Sequence, residues 1–214
     1  MIITDVRKRR GRLYQLYLDG EPAVTVDAAA FDESPYRMGG RIDDDQLREL
    51  LEAGSRRRAR EKALYLLSMR DHSRGELERK LRRTAGEQTA AETAARMEEI
   101  GLVDDGAYAA RLAEELAARR FYPRRRILQE LQEKGIGRAQ AEAAAEAVDG
   151  EDWERAAQLL RRKYARRLHT PDDRRRTMAA LGRYGFGGDA VRRAFDALRG
   201  EEPDWFAEED TPEE

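Results

Sequence analysis

The spacing of apolar residues changes once, early in the chain. Ile2, Ile3 and Val6 precede a basic turn, and the run from Leu13 to Val26 (LYQLYLDGEPAVTV) is rich in β-prone residues on either side of Asp19-Gly20. That dipeptide tolerates the positive φ angles of a tight hairpin, so two or three short antiparallel strands are predicted within the first 27 residues. The segment ESPYRMGGRIDDD that follows is a loop, because Pro35 and Gly39-Gly40 break any helix. Asp43 to Asp45 sit where acids favour a helix start, and the predicted helix from about Asp44 to Glu52 ends at Gly54.

From about residue 55 to residue 200 the apolar positions recur at helical spacing, cut by capping signals into about nine short helices. Ser73-x-x-Glu76 and Thr89-x-x-Glu92 fit a capping box, and Thr170-Pro171-Asp172-Asp173 offers a hydroxyl cap, a first-turn proline and two acids. Asp104 and Asp105 open another helix, and Gly86, Gly135, Gly185 and Gly200 mark helix ends. A shift of 50 residues lays Leu77 and Leu81 on Ile127 and Leu131, and these on Thr177 and Leu181. Ala85, Gly135 and Gly185 follow at one common offset.

Each copy of this helix follows a longer amphipathic one. Its apolar face is Ala59, Ala63, Leu66 and Leu67 in the first, Tyr108, Leu112 and Leu116 in the second, and Trp153, Ala156, Leu160, Tyr164 and Leu168 in the third. A further helix closes each unit, at about 89–100, 138–148 and 189–198. One such unit buries little surface alone. The expected fold is therefore mainly α, an elongated array of three tandem three-helix repeats with a small N-terminal β-hairpin region. The expected division is 1–54 for the hairpin region and short helix, 55–102, 103–150 and 151–200 for the repeats, and 201–214 for an acidic, disordered tail.

Composition narrows the chemistry. With no cysteine and two distant histidines, His72 and His169, thiol redox, structural zinc and cysteine nucleophiles are excluded. The start MIITDVRKRR has no secretory apolar stretch and no run of about 18 apolar residues occurs, so a soluble, cytoplasmic protein without a membrane partner is expected. Eight of the 43 acids fall in residues 201–214, leaving 41 bases against 35 acids in residues 1–200. The basic residues form clusters, at Arg7–Arg12, Arg56–Lys62, Arg119–Arg126, Arg161–Arg167 and Arg174–Arg176. A polyanionic partner suits this pattern, and so do solvated helix faces.

No catalytic constellation is present in the sequence. Gly182, Gly185, Gly187 and Gly188 lack the strand and lysine of a phosphate loop and read as helix ends. Asp104-Asp105 and Asp172-Asp173 read as helix starts, not metal ligands, and His72 and His169 as surface or capping residues. No enzyme activity, metal or cofactor is expected. In the helix from Trp153 to Leu168 the apolar stripe leaves Arg155, Arg162 and Arg166 opposite, flanked by Arg161, Lys163 and Arg167. Around RRFYPRRR (119–126), five arginines and two aromatics surround a helix start, a setting for a phosphate or carboxylate; alternatively, Phe121 and Tyr122 plug the junction between repeats while the arginines solvate it. Trp205-Phe206 in the acidic tail reads either as a docking motif or as part of a solubilising end.

MEEIGLVDDGAYAARL (97–112), followed by RRILQELQEKGI (125–136), resembles the central signature of the RecX family, regulators of the bacterial RecA recombinase. KALYLLSMRDHSRGELERKL (62–81) is similar to that family's first unit, and the likeness spans about residues 1–200. Tyr122-Pro123 stands where the family commonly has Gly-Pro, with one residue more before Ile127, and the acidic tail lies outside the pattern.

The resemblance implies tandem three-helix repeats lying in the groove of a recombinase filament on single-stranded DNA. There they limit filament growth and restrain strand exchange, ATP hydrolysis and coprotease activity, the ATP belonging to the partner. Contacts are then expected at Arg74, Arg79 and Lys80 in the first repeat. In the second they fall at Arg119, Arg120, Arg124, Arg125, Arg126 and Lys134, and in the third at Arg161, Arg162, Arg166 and Arg167. Single- or double-stranded DNA is a further expected partner, and the chain is expected to act as a monomer. The competing reading is a non-specific or transcriptional DNA-binding helical protein.

Overall fold

The structure is a computed structural model that describes residues 1–165, 168 and 170–201. It divides into two compact units, Met1–Asp104 and Asp105–Glu214.

In the first unit, β1 (Ile3–Arg9), β2 (Leu13–Leu18) and β3 (Glu21–Asp27) form an antiparallel meander in the order β1-β2-β3. Asp19 and Gly20 both take positive φ, 51° and 92°, and close the β2–β3 hairpin where Leu18 pairs with Glu21. Ile3, Leu16, Leu18 and Val26 turn one sheet face onto α1 (Ala28–Glu33) and the start of α2 (Asp44–Met69), burying Phe31, Ile42 and Leu50. The Asp43–Gln46 capping box starts α2.

The helix predicted to stop at Gly54 runs on to Met69. Gly54 is buried inside it, and a Cβ there would stand 2.8 Å from Asp27 Cβ. This glycine is thus a close-approach position between α2 and the end of β3, where Asp27 caps α1 by accepting from Ala30 N–H. The second half of α2 packs with α3 (Arg74–Ala85) and α4 (Glu87–Glu99) around Ala63, Leu77, Leu81, Ala90, Ala94 and Met97. Ser73 caps α3 as predicted, accepting from Glu76 N–H. Thr89 does not cap α4, because that helix already begins at Glu87 after Gly86.

The second unit holds two three-helix sets. In α5 (Asp105–Arg120), α6 (Arg124–Glu133) and α7 (Arg138–Glu146), the deepest line of α5 is Ala109, Ala113 and Ala117. The larger Tyr108, Leu112 and Leu116 flank that line, half-buried, so the predicted stripe lies one position off the true axis of burial. Small residues on α5 let α6 and α7 approach closely around Ile127, Leu131 and Ala141.

The third set is α8 (Asp152–Leu159), a π-helical turn (Leu160–Tyr164), α9 (Pro171–Tyr184) and α10 (Gly188–Glu201). Leu160, Leu181, Val191, Ala194 and Phe195 fill its core. Thr170 caps α9 with Pro171 in its first turn, and Gly185 ends it at φ 108°. Gly182, predicted as a helix end, lies within α9, while Gly200 stands one residue before the end of α10.

Candidate partner-binding surface

The predicted cations divide by what they touch. Arg74 heads α3 and pairs with Glu98 near the end of α4 at 3.0 Å. Fifty positions on, Arg124 heads α6 and donates to the carbonyls of Val148 and Gly150 at 3.1 and 3.2 Å. Both arginines reach 24 residues forward, from the start of a middle helix to the end of the closing one. They bracket their own three-helix sets, Arg74 through a carboxylate and Arg124 through two backbone carbonyls.

Arg155, expected on an outward face, is only 5% exposed. Its guanidinium donates to the carbonyls of Asp149 and Gly150 at 2.8 and 3.2 Å and to Asp152 Oδ1 at 2.6 Å. Arg124 N–H donates to the same Asp152 oxygen at 3.0 Å. One carboxylate and two guanidiniums thus tie the turn after α7 to the starts of α6 and α8.

Phe121 and Tyr122 plug the junction between repeats, as one of the two readings of the RRFYPRRR segment expects. Phe121 ends α5 in the left-handed region, φ 55°, where glycine is usual. The reversal sends its ring into the third core, while Tyr122 enters the second. Two adjacent aromatics therefore plug two neighbouring cores, and this burial offsets the backbone strain. Tyr184 packs against both cores, edge-on to Tyr122 at 5.2 Å, and its hydroxyl donates to the Arg120 carbonyl at 3.1 Å. Burial lifts the Tyr184 phenol above its ordinary pKa, and the charges of Arg126 and Arg120 oppose that rise.

Around these rings the remaining cations gather. Arg126 lies 4.2 Å from the Tyr122 ring centre and 4.9 Å from that of Tyr184, and it pairs with Glu130 at 3.5 Å. Arg162 sits over Phe121 at 5.3 Å, and Lys163 lies near Tyr164 and Tyr184. Arg120, Arg125, Arg161 and Arg162 are exposed, as is Arg119, which pairs with Glu115 at 3.1 Å. Arg120 and Arg125 make no side-chain ion pair with any described residue.

Lys134 is half-buried on the far end of α6. In the first unit Arg79 is exposed on α3, with Nε 3.3 Å from the Gly75 carbonyl, and Lys80 is half-buried beside it. Arg166 and Arg167 lie outside the described residues, as do His169, Trp205 and Phe206. The place of Tyr184 at this junction was missed from sequence, although an aromatic directly before Gly185 was a visible signal.

His72, read as a surface residue, is 3% exposed. It precedes the Ser73 cap just as Tyr122 precedes Pro123, the position whose side chain folds under the first turn of the helix. Its Nδ1 donates to the Arg70 carbonyl at 2.9 Å, and Nε2 is buried without a hydrogen-bond partner among the described residues. Burial lowers its pKa, and the nearby charges of Arg70 and Lys80 push the same way against Glu76.

Among the described residues no group of three or more His, Cys, Asp or Glu could hold a metal ion, and no helix is long and apolar enough to cross a membrane. Three-helix sets in tandem, the second and third joined by an aromatic plug with cations displayed over it, define a helical repeat protein.

Family profiles place the chain within that class. The first, second and third three-helix domains of RecX match residues 59–97, 104–144 and 150–195. The chain belongs to the RecX family. It is 37% identical over 155 residues to the regulatory protein RecX of Stenotrophomonas maltophilia strain K279a, covering 68% of this chain and 93% of that protein. It is 36% identical over 151 residues to the regulatory protein RecX of Streptomyces coelicolor, covering 68% of this chain and 80% of that one. A crystal structure of regulatory protein RecX shares the fold with a TM-score of 0.64 at 22% identity, over 91% of this chain and 98% of that one. RecX from Lactobacillus salivarius does so at 0.59 and 23%, over 68% and 97%. The chain is thus a regulatory protein by family, built of three tandem three-helix domains after a small antiparallel sheet.

Proposed function

We propose that this protein binds the RecA recombinase filament on single-stranded DNA and restrains its assembly, ATPase, strand exchange and coprotease activity. The observation that carries the reading is the complete run of three RecX domains in tandem. Repeats displaying cations suit a polymer, since several weak contacts along one partner multiply into avidity. ATP hydrolysis and DNA pairing belong to the partner; this chain acts as a monomeric, non-enzymatic regulator.

Partner contacts are assigned to the outward cations: Arg120, Arg125, Arg161 and Arg162 around the aromatic plugs, with Arg119 and Lys134 beside them and Arg79 and Lys80 on the first repeat. Arg166 and Arg167 continue the sequence of the third cluster. Arg74 and Arg124, and largely Arg126, serve their own repeats instead.

The test compares binding to recombinase-coated single-stranded DNA with binding to naked DNA, alongside the recombinase's DNA-dependent ATPase at substoichiometric ratios. Tighter binding to the coated strand and a slowed ATPase are expected. Replacing Arg120, Arg125 and Arg162 together by Glu should weaken inhibition at least tenfold with unchanged helical content. Equal affinity for coated and naked DNA, or tight duplex binding with a steep salt dependence, would sink the reading in favour of a general DNA-binding protein.

A further inference from the structure

The first unit carries a second cationic site, made by residues that play no part in the surface just described. A cleft of about 640 Å³ lies between α2 and the segment after α1, walled by Ala30, Tyr36, Leu50 and Ala53, bordered at one end by Arg56, Arg57 and Arg60, and lined also by Glu33 and Glu49. Its size is that of a pocket taking a small ligand or an anchoring side chain, about 300–1,000 Å³. Arg56 and Arg60 also border a shallower cleft of about 190 Å³ against Thr93 and Met97 of α4. The two guanidiniums therefore stand on the ridge between two open hollows.

These arginines are differently engaged. Arg57 is held by Glu33 at 2.8 Å and lies near Glu61 and Asp27 at 3.5 and 3.9 Å. Among the described residues Arg56 has only an exposed pair with Glu52 at 3.4 Å, an arrangement worth little in water. Arg60 is exposed and makes no ion pair or hydrogen bond with any described residue. Four residues apart on one helix, Arg56 and Arg60 share a face and can flank a single carboxylate.

We propose that this cleft receives an acidic peptide segment of a partner protein, one carboxylate bridging Arg56 and Arg60 while a neighbouring aromatic or aliphatic side chain enters between Tyr36, Leu50 and Ala53. Charge along α2 favours a peptide over a nucleic-acid backbone. Glu49 borders the same cleft 11 residues before Arg60, about 16 Å along the helix axis. A strand charged at every phosphate would run from the arginines onto this carboxylate. A peptide places its acid at one end and an uncharged side chain at the other, matching apolar walls that end in a cationic rim. The site needs neither the recombinase nor DNA, so its fate is separate from the function proposed above.

Fluorescence anisotropy of the full chain tests it, with no recombinase present. The probe is a fluorescein-labelled peptide of about ten residues in which one Phe stands among Asp and Glu. Comparators are the same peptide with Asn and Gln for its acids, the peptide with Ser for Phe, and an oligothymidylate of similar length. The acidic Phe peptide should bind at least tenfold tighter than either altered peptide. Arg56→Gln with Arg60→Gln should weaken it at least tenfold without changing the circular dichroism, since both side chains are exposed, while Arg125→Gln leaves it unchanged. The proposal is overturned by absence of peptide binding into the millimolar range, by full binding in the double variant, or by tighter oligothymidylate binding that depends on the same two arginines.

Discussion

Removal of the Arg155 guanidinium tests whether a cation expected on an outward helix face instead holds adjacent repeats together. Arg155→Met keeps most of the aliphatic stem and deletes three donated hydrogen bonds, to Asp149 O, Gly150 O and Asp152 Oδ1. Gly150 O and Asp152 Oδ1 still receive Arg124, but Asp149 O loses this donor. Breaking a buried ion pair from one side costs about 3–5 kcal/mol. The Asp152 side chain is 30% exposed, and water recovers part of its charge, so about 2–3 kcal/mol is expected. For a unit near 100 residues that lowers the melting temperature by about 10–20 °C.

Trp153, one of two tryptophans, lies in α8 next to Asp152 with Arg193 5.0 Å from its ring. In a Trp205→Phe background its fluorescence follows this junction through a urea titration. Arg162→Met and Arg125→Met, on exposed positions, should stay within about 0.5 kcal/mol of the parent. If Arg155→Met did so too, the junction bracket would contribute nothing and the outward-face reading of Arg155 would return.

Two further predictions concern the first unit. The folded-state pKa of His72 is lowered from 6.5, so near and below that value the unfolded chain binds more protons and stability falls as the solution is acidified. His72→Phe should flatten the change in urea midpoint between about pH 7.5 and 5.5, and an unchanged slope would remove His72 as its source. Gly54→Ala sets a methyl 2.8 Å from Asp27 Cβ and should destabilise by about 1–3 kcal/mol despite alanine's better helix propensity. Gly182→Ala, with nothing within 4 Å of its new methyl, should instead stabilise by about 0.5–1 kcal/mol; equal effects by thermal melting would refute the steric argument.

The repeat was legible because its signal is local. Leu77 and Leu81, Ile127 and Leu131, and Leu181 are fully buried, and Ser73 and Thr170 cap the helices predicted for them. Periodicity places a residue relative to its own helix, and for the middle helix of each repeat that reading was sound. It does not show which neighbour comes close. Gly54 looked like a helix end because the backbone of β3 that presses on it is 27 residues away in sequence. Arg155 looked outward because the carbonyls it satisfies belong to the turn after a different helix. His72 looked like a surface residue because only comparison with Tyr122, the buried residue at the same repeat position, shows the slot it fills.

The third repeat shows how a departure from regularity builds the candidate surface. Ala63 precedes Leu77 by 14 residues, and Ala113 precedes Ile127 by the same 14, but their counterpart Leu160 precedes Thr177 by 17. Three additional residues must be accommodated between the first and middle helices. A π-helical turn absorbs one extra residue by widening the helix, and it falls at Leu160–Tyr164. Leu160 and Tyr164 remain against the core, while Arg161, Arg162 and Lys163 between them are displayed to solvent. Arg162 and Lys163 arrive there over Phe121 and Tyr184. A regular α-helix with Leu160 and Tyr164 inward also turns the cations between them outward, so the π-turn alters their placement along the helix and not their exposure. The insertion thus costs the repeat its symmetry, and it falls where Arg162 and Lys163 stand at the aromatic plug joining the second and third cores.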